Sequence, residues 1–352
     1  MPTVVYSADV FVRQQSGGIS RYHAELFAEM RRLGVDARVV VGSSGHPYIE
    51  AAVDGVRRIP RFVPGRWARG AGSLTTRVSW MLAPGSIYHP TYYTAPLRRR
   101  GPSVVTFHDL IHLRGLSEDP ETSAVVQGQR RWAKRADVLL AVSENTARDI
   151  EEILRVPRSR IRVVHLGVRN AGAAVGPTPR RSQTLLYVGH RGGYKNWRAL
   201  VEALSLPRTK DWHLVCVGGG RVQEAEVELL RSMRVRDRVS FVTAGDAELE
   251  VLLRSVTALV YPSLYEGFGL PPLEAMARGT AVVASNRASI PEVCGDAAML
   301  VDPHPDALAQ AIERLGDDEV LKGLVDRGER RAASFTWQRT ALQTRRIYDE
   351  LV

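Results

Sequence analysis

The sequence predicts an α/β protein with two parallel-sheet domains, and three observations carry the prediction. Short apolar runs alternate along the chain with segments of helical period, the pattern of the strand–helix units that build parallel sheets. The alternation is interrupted near its middle by residues 168–182, which contain Gly172, Gly176, Pro177 and Pro179, lack periodicity and read as a linker. The length, 352 residues, exceeds one ordinary core and suits two.

Composition narrows the class. The chain is 44% hydrophobic, a globular value, and no apolar run approaches the ~18 residues of a membrane span. The start, Met1-Pro-Thr-Val-Val5, has no basic n-region and reads as a first strand, not a signal peptide. Cys216 and Cys294 are far apart in sequence and lie in apolar contexts, so they make neither a metal site nor a disulfide framework. A reducing cytoplasm is the expected compartment. The formal charge is +10 and uneven. Residues 1–167 hold 24 Lys and Arg against 15 Asp and Glu, whereas residues 168–352 hold 24 against 23. No nucleic-acid-binding module accompanies the charge, so nucleic acid is not an expected partner.

In the first half, Val4–Ser7 reads as a strand. Gly17-Gly18 then opens a helix whose Ile19, Tyr22, Leu26, Met30 and Leu33 share one face. Neither GxGxxG nor a P-loop lysine is present, so Gly17 and Gly18 fit a chain reversal and a ligand-facing loop alike. Gly34 ends the helix and Ala37–Val41 is the next strand. Residues 43–80 are rich in Gly, Pro and Arg. Within them Arg57, Arg58, Arg61, Phe62, Arg66, Trp67 and Arg69 interleave cations with aromatics, which suits a phosphate-bearing surface or a solvated insertion. Strands at Ser86–His89 and Ser103–Phe107 follow. The second leads into His108 and Asp109, placing both at the carboxyl edge of a parallel sheet, where open α/β sheets bind ligands. A helix at Ala124–Arg135, a strand at Val138–Val142, and a helix at Glu144–Leu154 come next. Ser143 is either the N-cap of that helix or a substrate contact. The strand Ile161–Leu166 closes the half.

The second half repeats the pattern. Strand Thr184–Val188 meets the loop Gly189-His-Arg191-Gly-Gly-Tyr-Lys195-Asn196, and a helix starts at Trp197. Arg191 and Lys195 thus fall together at a strand's carboxyl edge on a glycine-rich backbone, which suits a diphosphate. Strands at His213–Val217 and Val239–Val242 and a helix at Ala247–Ser255 lead to the most informative stretch, Tyr261-Pro-Ser-Leu-Tyr-Glu266-Gly-Phe-Gly-Leu270-Pro-Pro-Leu-Glu274. The apolar run Ala258–Tyr261 is a buried strand. Gly267 and Gly269 let the backbone turn sharply, and Pro271 and Pro272 suit a first helical turn. A glycine loop that hands over to a helix start is an anion site. Glu266 and Glu274 bracket it. Carboxylates beside phosphates serve as acceptors for sugar hydroxyls. Phosphate-ready N–H groups and two hydroxyl acceptors together point to a nucleotide-sugar. Strands at Ala281–Ala284 and Met299–Val301, Ser289-Ile-Pro-Glu292 and terminal helices complete the chain.

These residues carry a resemblance. Glu266-x7-Glu274 inside Glu-Gly-Phe-Gly-Leu-Pro-Pro-Leu-Glu-Ala-Met-Ala resembles the E-x7-E motif of retaining GT-B glycosyltransferases of family 4. The loop Val188-Gly-x-Arg191…Lys195-Asn196 resembles that family's pyrophosphate loop. Pro291-Glu292 and Leu300-Val301-Asp302-Pro303 fall where the family has similar segments. Gly17-Gly18-Ile-Ser-Arg-Tyr22 resembles its N-terminal glycine loop, and Phe107-His108-Asp109 its active-site histidine strand. The form Tyr194-Lys195-Asn196-Trp197 is similar to that of mannosyltransferase-type members.

The resemblance implies two Rossmann-like domains facing a central cleft, with the C-terminal helix crossing back to the first. The expected domains are residues 1–167 plus 336–352 on the acceptor side, a linker at 168–182, and a donor domain at 183–335. Arg191 and Lys195 would hold the donor diphosphate, Glu274 the ribose and Glu266 the sugar ring. The backbone of Gly189, Gly267, Phe268, Gly269 and Leu270 would line the donor, Gly17 and Gly18 would approach its phosphates, and His108 would lie near the reacting side of the sugar. Asp109 and Ser143 are acceptor-side candidates. The implied enzyme is a retaining glycosyltransferase, GDP-mannose favoured as donor, with a glycan or lipid-linked acceptor. No Asp-x-Asp motif appears, so neither a metal nor another cofactor is expected. The basic first half suggests a cytoplasmic protein in peripheral contact with the anionic inner face of a membrane. A nucleotide-sugar epimerase and a non-catalytic nucleotide-sugar-binding protein are the alternatives.

Overall fold

The computed structural model describes residues 2–13, 17–41, 48, 56–58, 85–94, 101–117, 122–169 and 183–352. It divides into two compact units, Met1–Gly167 with Trp337–Val352, and Val168–Thr336. The expected linker lies outside the described residues except for Val168 and Arg169. These two belong to the second unit, where the Val168 amide donates to the Phe335 carbonyl at 2.9 Å. The cation–aromatic segment at 57–69 also lies outside, apart from the backbone of Arg57 and Arg58.

In the first unit, β1 (Thr3–Tyr6), β2 (Asp36–Val41), β3 (Val56–Arg58) and β4 (Ile87–His89) pair in the order β3-β2-β1-β4. A second sheet, β5 (Val104–Phe107), β6 (Val138–Ala141) and β7 (Ile161–Val163), pairs in the order β5-β6-β7. Every pairing is parallel, and a parallel bridge between Tyr88 and Ser103 joins β4 to β5. The strands are near-continuous apolar runs because helices cover both faces of such a sheet. The helix Glu144–Leu154 starts where Ser143 Oγ accepts the Thr146 amide at 3.0 Å. The helix Gly18–Arg32 buries Tyr22, His23, Leu26, Phe27 and Met30, and it ends before Gly34 at φ 77°.

In the second unit, β8 (Thr184–Val188), β9 (His213–Val217), β10 (Val239–Val242), β11 (Ala258–Tyr261), β12 (Ala281–Ser285) and β13 (Met299–Val301) form one parallel sheet in the order β10-β9-β8-β11-β12-β13. This is the doubly wound order, with its reversal between β8 and β11. Leu185, Cys216, Val260 and Val283 from four strands pack with Trp197, Leu200, Leu204, Leu308 and Ile312 from the covering helices.

Among the described elements, the helix Asp9–Arg13, β3 and the helix Glu224–Ser232 leave little trace in the sequence. The first two are too short to show a period. The third buries only Leu230, so it has almost no apolar stripe. Its start is held instead by the Glu226 carboxylate, which accepts the Gln223 amide at 2.7 Å. No helix among the described residues is long and apolar enough to cross a membrane.

The chain leaves the second unit at Thr336, and the helix Trp337–Asp349 belongs to the first, where it packs on the helix Gly18–Arg32. Trp337, Thr340, Ala341, Thr344, Ile347 and Tyr348 form its buried face. A buried hydrogen-bond chain anchors it. The Tyr6 and Tyr348 hydroxyls share a bond at 2.9 Å, Tyr348 meets His89 Nδ1 at 2.5 Å, His89 Nε2 meets Thr106 Oγ1 at 2.9 Å, and Thr106 meets the Tyr22 hydroxyl at 3.0 Å. Five elements are thereby tied through polar atoms that would each cost about 1–3 kcal/mol if buried unpaired. The His23 ring lies edge-on to both His89 and His108, with centroids 5.6 and 5.8 Å away. Desolvation holds all three imidazoles neutral. It lowers His89 and His108 to about 3 and His23 well below 6.5.

In the unfolded chain these histidines titrate near 6.5, so between about pH 3 and 6.5 the unfolded state binds more protons than the native state. Stability should therefore be full above about pH 7 and fall as pH drops through this window, by up to about 1.4 kcal/mol per pH unit for each histidine. Denaturant unfolding from pH 7.5 to 5 measures it. His23→Gln should flatten the slope by one proton, and a wild-type profile flat over this range would refute the neutral-cluster account.

Candidate active site

The reversal of the second sheet sets β8 beside β11, so the loops leaving their carboxyl ends become neighbours. The backbone welds them together: the Leu264 amide donates to the Tyr194 carbonyl at 2.7 Å. Asn196, in the left-handed conformation at φ 56° that asparagine tolerates, donates through Nδ2 to the carbonyls of Pro262 at 3.2 Å and Pro303 at 2.8 Å.

Lys195 bridges the two loops through its side chain. Its Nζ donates to Glu266 Oε1 at 2.7 Å and to the Tyr261 hydroxyl at 3.2 Å, and both members of the ion pair are only 11–13% exposed. The lysine stem runs over Gly189, at φ 142°, where an added Cβ would sit 3.6 Å from Lys195 Cδ. Lys195 and Glu266, 71 residues apart, thus form one charged unit at the sheet edge.

The loop that carries Glu266 is held from below. Ser289, fully buried, presents its hydroxyl to the carbonyls of Glu266 at 2.9 Å and Phe268 at 2.8 Å. Gly269 precedes the helix Leu270–Met276 at φ 107°, and a Cβ there would come within 2.9 Å of Ile290 Cδ1. The positive φ favours glycine, and a Cβ would also force the Ile290 side chain to shift. Phe268 is buried against Phe335, with ring centroids 6.0 Å apart. Glu274, partly buried, lies on the helix that follows.

Arg191 is elsewhere. The sequence places it with Lys195 on a diphosphate, but its side chain is 3% exposed and held by groups of its own unit. Nε and one terminal nitrogen donate to the two Glu226 oxygens at 2.7 and 3.2 Å. The remaining N–H groups reach the carbonyls of Gly218, Gly219, Gly220 and Arg221. The guanidinium lies 4.9 Å from the Phe241 ring centroid. Gly219 makes this possible, since a Cβ there would lie 2.6 Å from Arg191 Nη1. In the structure Arg191 ties the Gly218–Arg221 loop to the helix Glu224–Ser232.

In the first unit, Gly17 precedes the helix Gly18–Arg32 with extended φ, so its conformation does not require glycine, and Gly18 is exposed. His108 follows β5. Its ring meets Tyr22 edge-on at 4.9 Å, and its buried Nε2 has no hydrogen-bond partner among the described residues. Asp109 turns back on its own chain, with Oδ1 accepting the Ile111 amide at 3.0 Å and its carbonyl accepting Gln129 Nε2 at 3.0 Å. Ser143 is fully buried and acts as the helix cap.

The profile of the family described as Glycosyltransferase Family 4 matches residues 16–170, and that of Glycosyl transferases group 1 matches residues 173–332. Over 283 residues the chain is 30% identical to the O-antigen chain mannosyltransferase B of Escherichia coli, covering 74% of each protein. The chain belongs to glycosyltransferase family 4. The glycosyltransferase is also 32% identical over 249 residues to the MMP alpha-(1->4)-mannosyltransferase of Mycolicibacterium hassiacum, covering 64% of this chain and 57% of that one. Its fold is similar to that of Anabaena HepE crystallised with UDP-glucose, with a TM-score of 0.75, 16% identity and full coverage of both chains.

Four site residues of this glycosyltransferase escaped sequence reasoning: Tyr261, Asn196, Ser289 and Glu226. Asn196 and Tyr261 lie within the two loop motifs, but only pairing of β8 with β11 shows what they touch. Among the described residues, no group of three or more His, Cys, Asp or Glu is placed to hold a metal ion. Cys216 and Cys294 are free and buried, and burial pushes each thiol up to about 12, which keeps both protonated and unreactive.

Because Arg191 is an internal tie, Arg191→Ala should cost about 2–3 kcal/mol of unfolding free energy by leaving the partly buried Glu226 carboxylate without its cation. Its effect on turnover should follow from that loss. Denaturant unfolding checks it. A variant within about 1 kcal/mol of wild type but without turnover would return Arg191 to the ligand.

Proposed function

We propose that this glycosyltransferase moves a sugar, with retention of configuration, from a nucleoside-diphosphate sugar to a glycan or lipid-linked acceptor. GDP-mannose is the favoured donor and no metal takes part. The observation that carries the reading is the Lys195–Glu266 pair at the point where the second sheet reverses, a cation and a hydroxyl acceptor on glycine-rich loops. The mannosyltransferase names of relatives about 30% identical support the sugar, and the UDP-glucose bound to the Anabaena protein supports the donor class.

In this reading Lys195 meets the diphosphate and stabilises the charge that grows on it as the sugar–phosphate bond breaks. Glu266 accepts hydroxyls of the donor sugar and Glu274 those of the ribose. The Lys195 ammonium beside Glu266 makes that carboxylate a poor covalent nucleophile, which favours displacement on the face from which the diphosphate leaves. The first unit takes the acceptor. Its residue His108, whose Nε2 has no hydrogen-bond partner among the described residues, is the polar group assigned to the reaction on that side.

The test is a thermal-shift series with nucleoside diphosphates. GDP should stabilise most, by about 2.7 kcal/mol at 100 times its dissociation constant. Turnover of GDP-mannose should persist in EDTA. Lys195→Ala should lower kcat about 10²–10³-fold, whereas Glu274→Ala should raise KM with kcat nearly kept. Stabilisation by none of the nucleoside diphosphates would refute the reading.

The excess of nine positive charges in residues 1–167 supports peripheral contact with an anionic membrane that presents the acceptor. The protein should co-sediment with anionic liposomes at low salt and be released as ionic strength passes about 0.1 M, where screening falls to ~10 Å. Indifference to anionic liposomes at low salt would leave a soluble acceptor.

A further inference from the structure

Tyr261 ends β11, one strand away from the lysine loop, and is 1% exposed. Its hydroxyl accepts from Lys195 Nζ at 3.2 Å, the same nitrogen that donates to Glu266 at 2.7 Å. The ammonium also lies 5.2 Å from the centroid of the Tyr261 ring and 5.3 Å from that of Tyr194. With the stem confined by Gly189, two hydrogen bonds and two aromatic faces locate a charge that on a free lysine would sweep several ångströms. An ammonium has three N–H donors. Two are taken, and the third has no hydrogen-bond partner among the described residues.

We propose that Tyr261 is a positioning residue for the donor diphosphate, its hydroxyl holding the Lys195 ammonium so that the third N–H is presented to a phosphate oxygen. The inference rests on the reading that Lys195 meets the diphosphate. Glu266 alone cannot fix the ammonium. A single ion-pair contact leaves the nitrogen free to turn about the carboxylate, and the charge would settle wholly on Glu266. The tyrosine hydroxyl supplies a second, uncharged acceptor from the end of β11. It anchors the ammonium without cancelling its charge. The groups that face this hydroxyl are Glu266, Lys195, Tyr187 and Tyr194; burial and the neighbouring Glu266 carboxylate raise the Tyr261 phenol well above 10 and keep it neutral. It therefore offers Lys195 a neutral oxygen at any pH at which the enzyme works.

The experiment is a double-mutant cycle read by calorimetry with GDP. Tyr261→Phe keeps the ring and the cation–π face and removes only the oxygen. In the wild-type background it should weaken GDP binding about 10-fold, the scale of one hydrogen bond to a charged group. In a Lys195→Ala background the same substitution should change binding less than about 2-fold, because Tyr261 acts through the lysine. A purely structural role would give the same factor in both backgrounds, and that result overturns the proposal, as does wild-type affinity in Tyr261→Phe. If Lys195→Ala itself binds GDP as wild type does, the reading of Lys195 falls and this inference with it. If Lys195→Ala is weak and Tyr261→Phe is not, only this inference falls. Should Tyr261→Phe fold poorly, a fluorinated tyrosine at position 261, which weakens the oxygen as an acceptor without removing it, should weaken GDP binding in the wild-type background only; unaltered affinity there overturns the proposal.

Discussion

The second unit depends on one contact, the ion pair of Lys195 with Glu266 across the reversal of its sheet. In a doubly wound sheet the loops of neighbouring strands leave toward the same face except at the reversal, where two strands that are far apart in sequence lie side by side and their loops part to opposite faces, leaving a crevice at their carboxyl ends. Here those strands are β8 and β11. The Leu264 amide, the Asn196 side chain and the Lys195 ammonium all cross the gap. A partly buried lysine beside a partly buried carboxylate is costly unless geometry and further hydrogen bonds compensate. The structure meets that condition with Tyr261 on the lysine and Ser289 beneath the loop of Glu266.

Two cations on one short loop have opposite fates, and burial decides which. The Arg191 guanidinium carries five donors in a rigid fork and is always charged, so a buried arginine must find acceptors for all of them. The left-handed glycines Gly218, Gly219 and Gly220 expose a row of carbonyls that meets this need, and Glu226 neutralises the charge. Lys195 has fewer donors and a flexible stem, so it can keep one donor for a ligand. Charge count treats the two residues alike; the number of acceptors around each sets them apart.

The first unit is organised differently, by a buried polar chain and not by an ion pair. Tyr6, Tyr348, His89, Thr106 and Tyr22 lie on β1, the C-terminal helix, β4, β5 and the helix Gly18–Arg32. Apolar packing would hold these elements together in many slightly different arrangements. A chain of hydroxyls and one imidazole, each buried and each needing a partner, accepts far fewer. Neutral His108, in edge contact with Tyr22 at the end of this chain, is held in place by it.

By itself the sequence determined the alternation of strands and helices, the division into two parallel-sheet units and the glycine loop bracketed by Glu266 and Glu274. These are local properties, written in apolar period, glycine and proline placement and residue type. The return of the last helix to the first domain, the motif pairing and the family came through resemblance. Elements too short or too exposed to leave a stripe, such as β3 and the helix Glu224–Ser232, stayed hidden. Only the tertiary structure decided which charged groups meet. Lys195 and Glu266 are 71 residues apart, and Arg191 and Glu226 are 35 apart. The strand order that joins the first pair, and the depth of burial that saturates the second, arise from packing the whole sheet. A side chain's partners depend on that order and on local dielectric, neither of which a linear pattern contains.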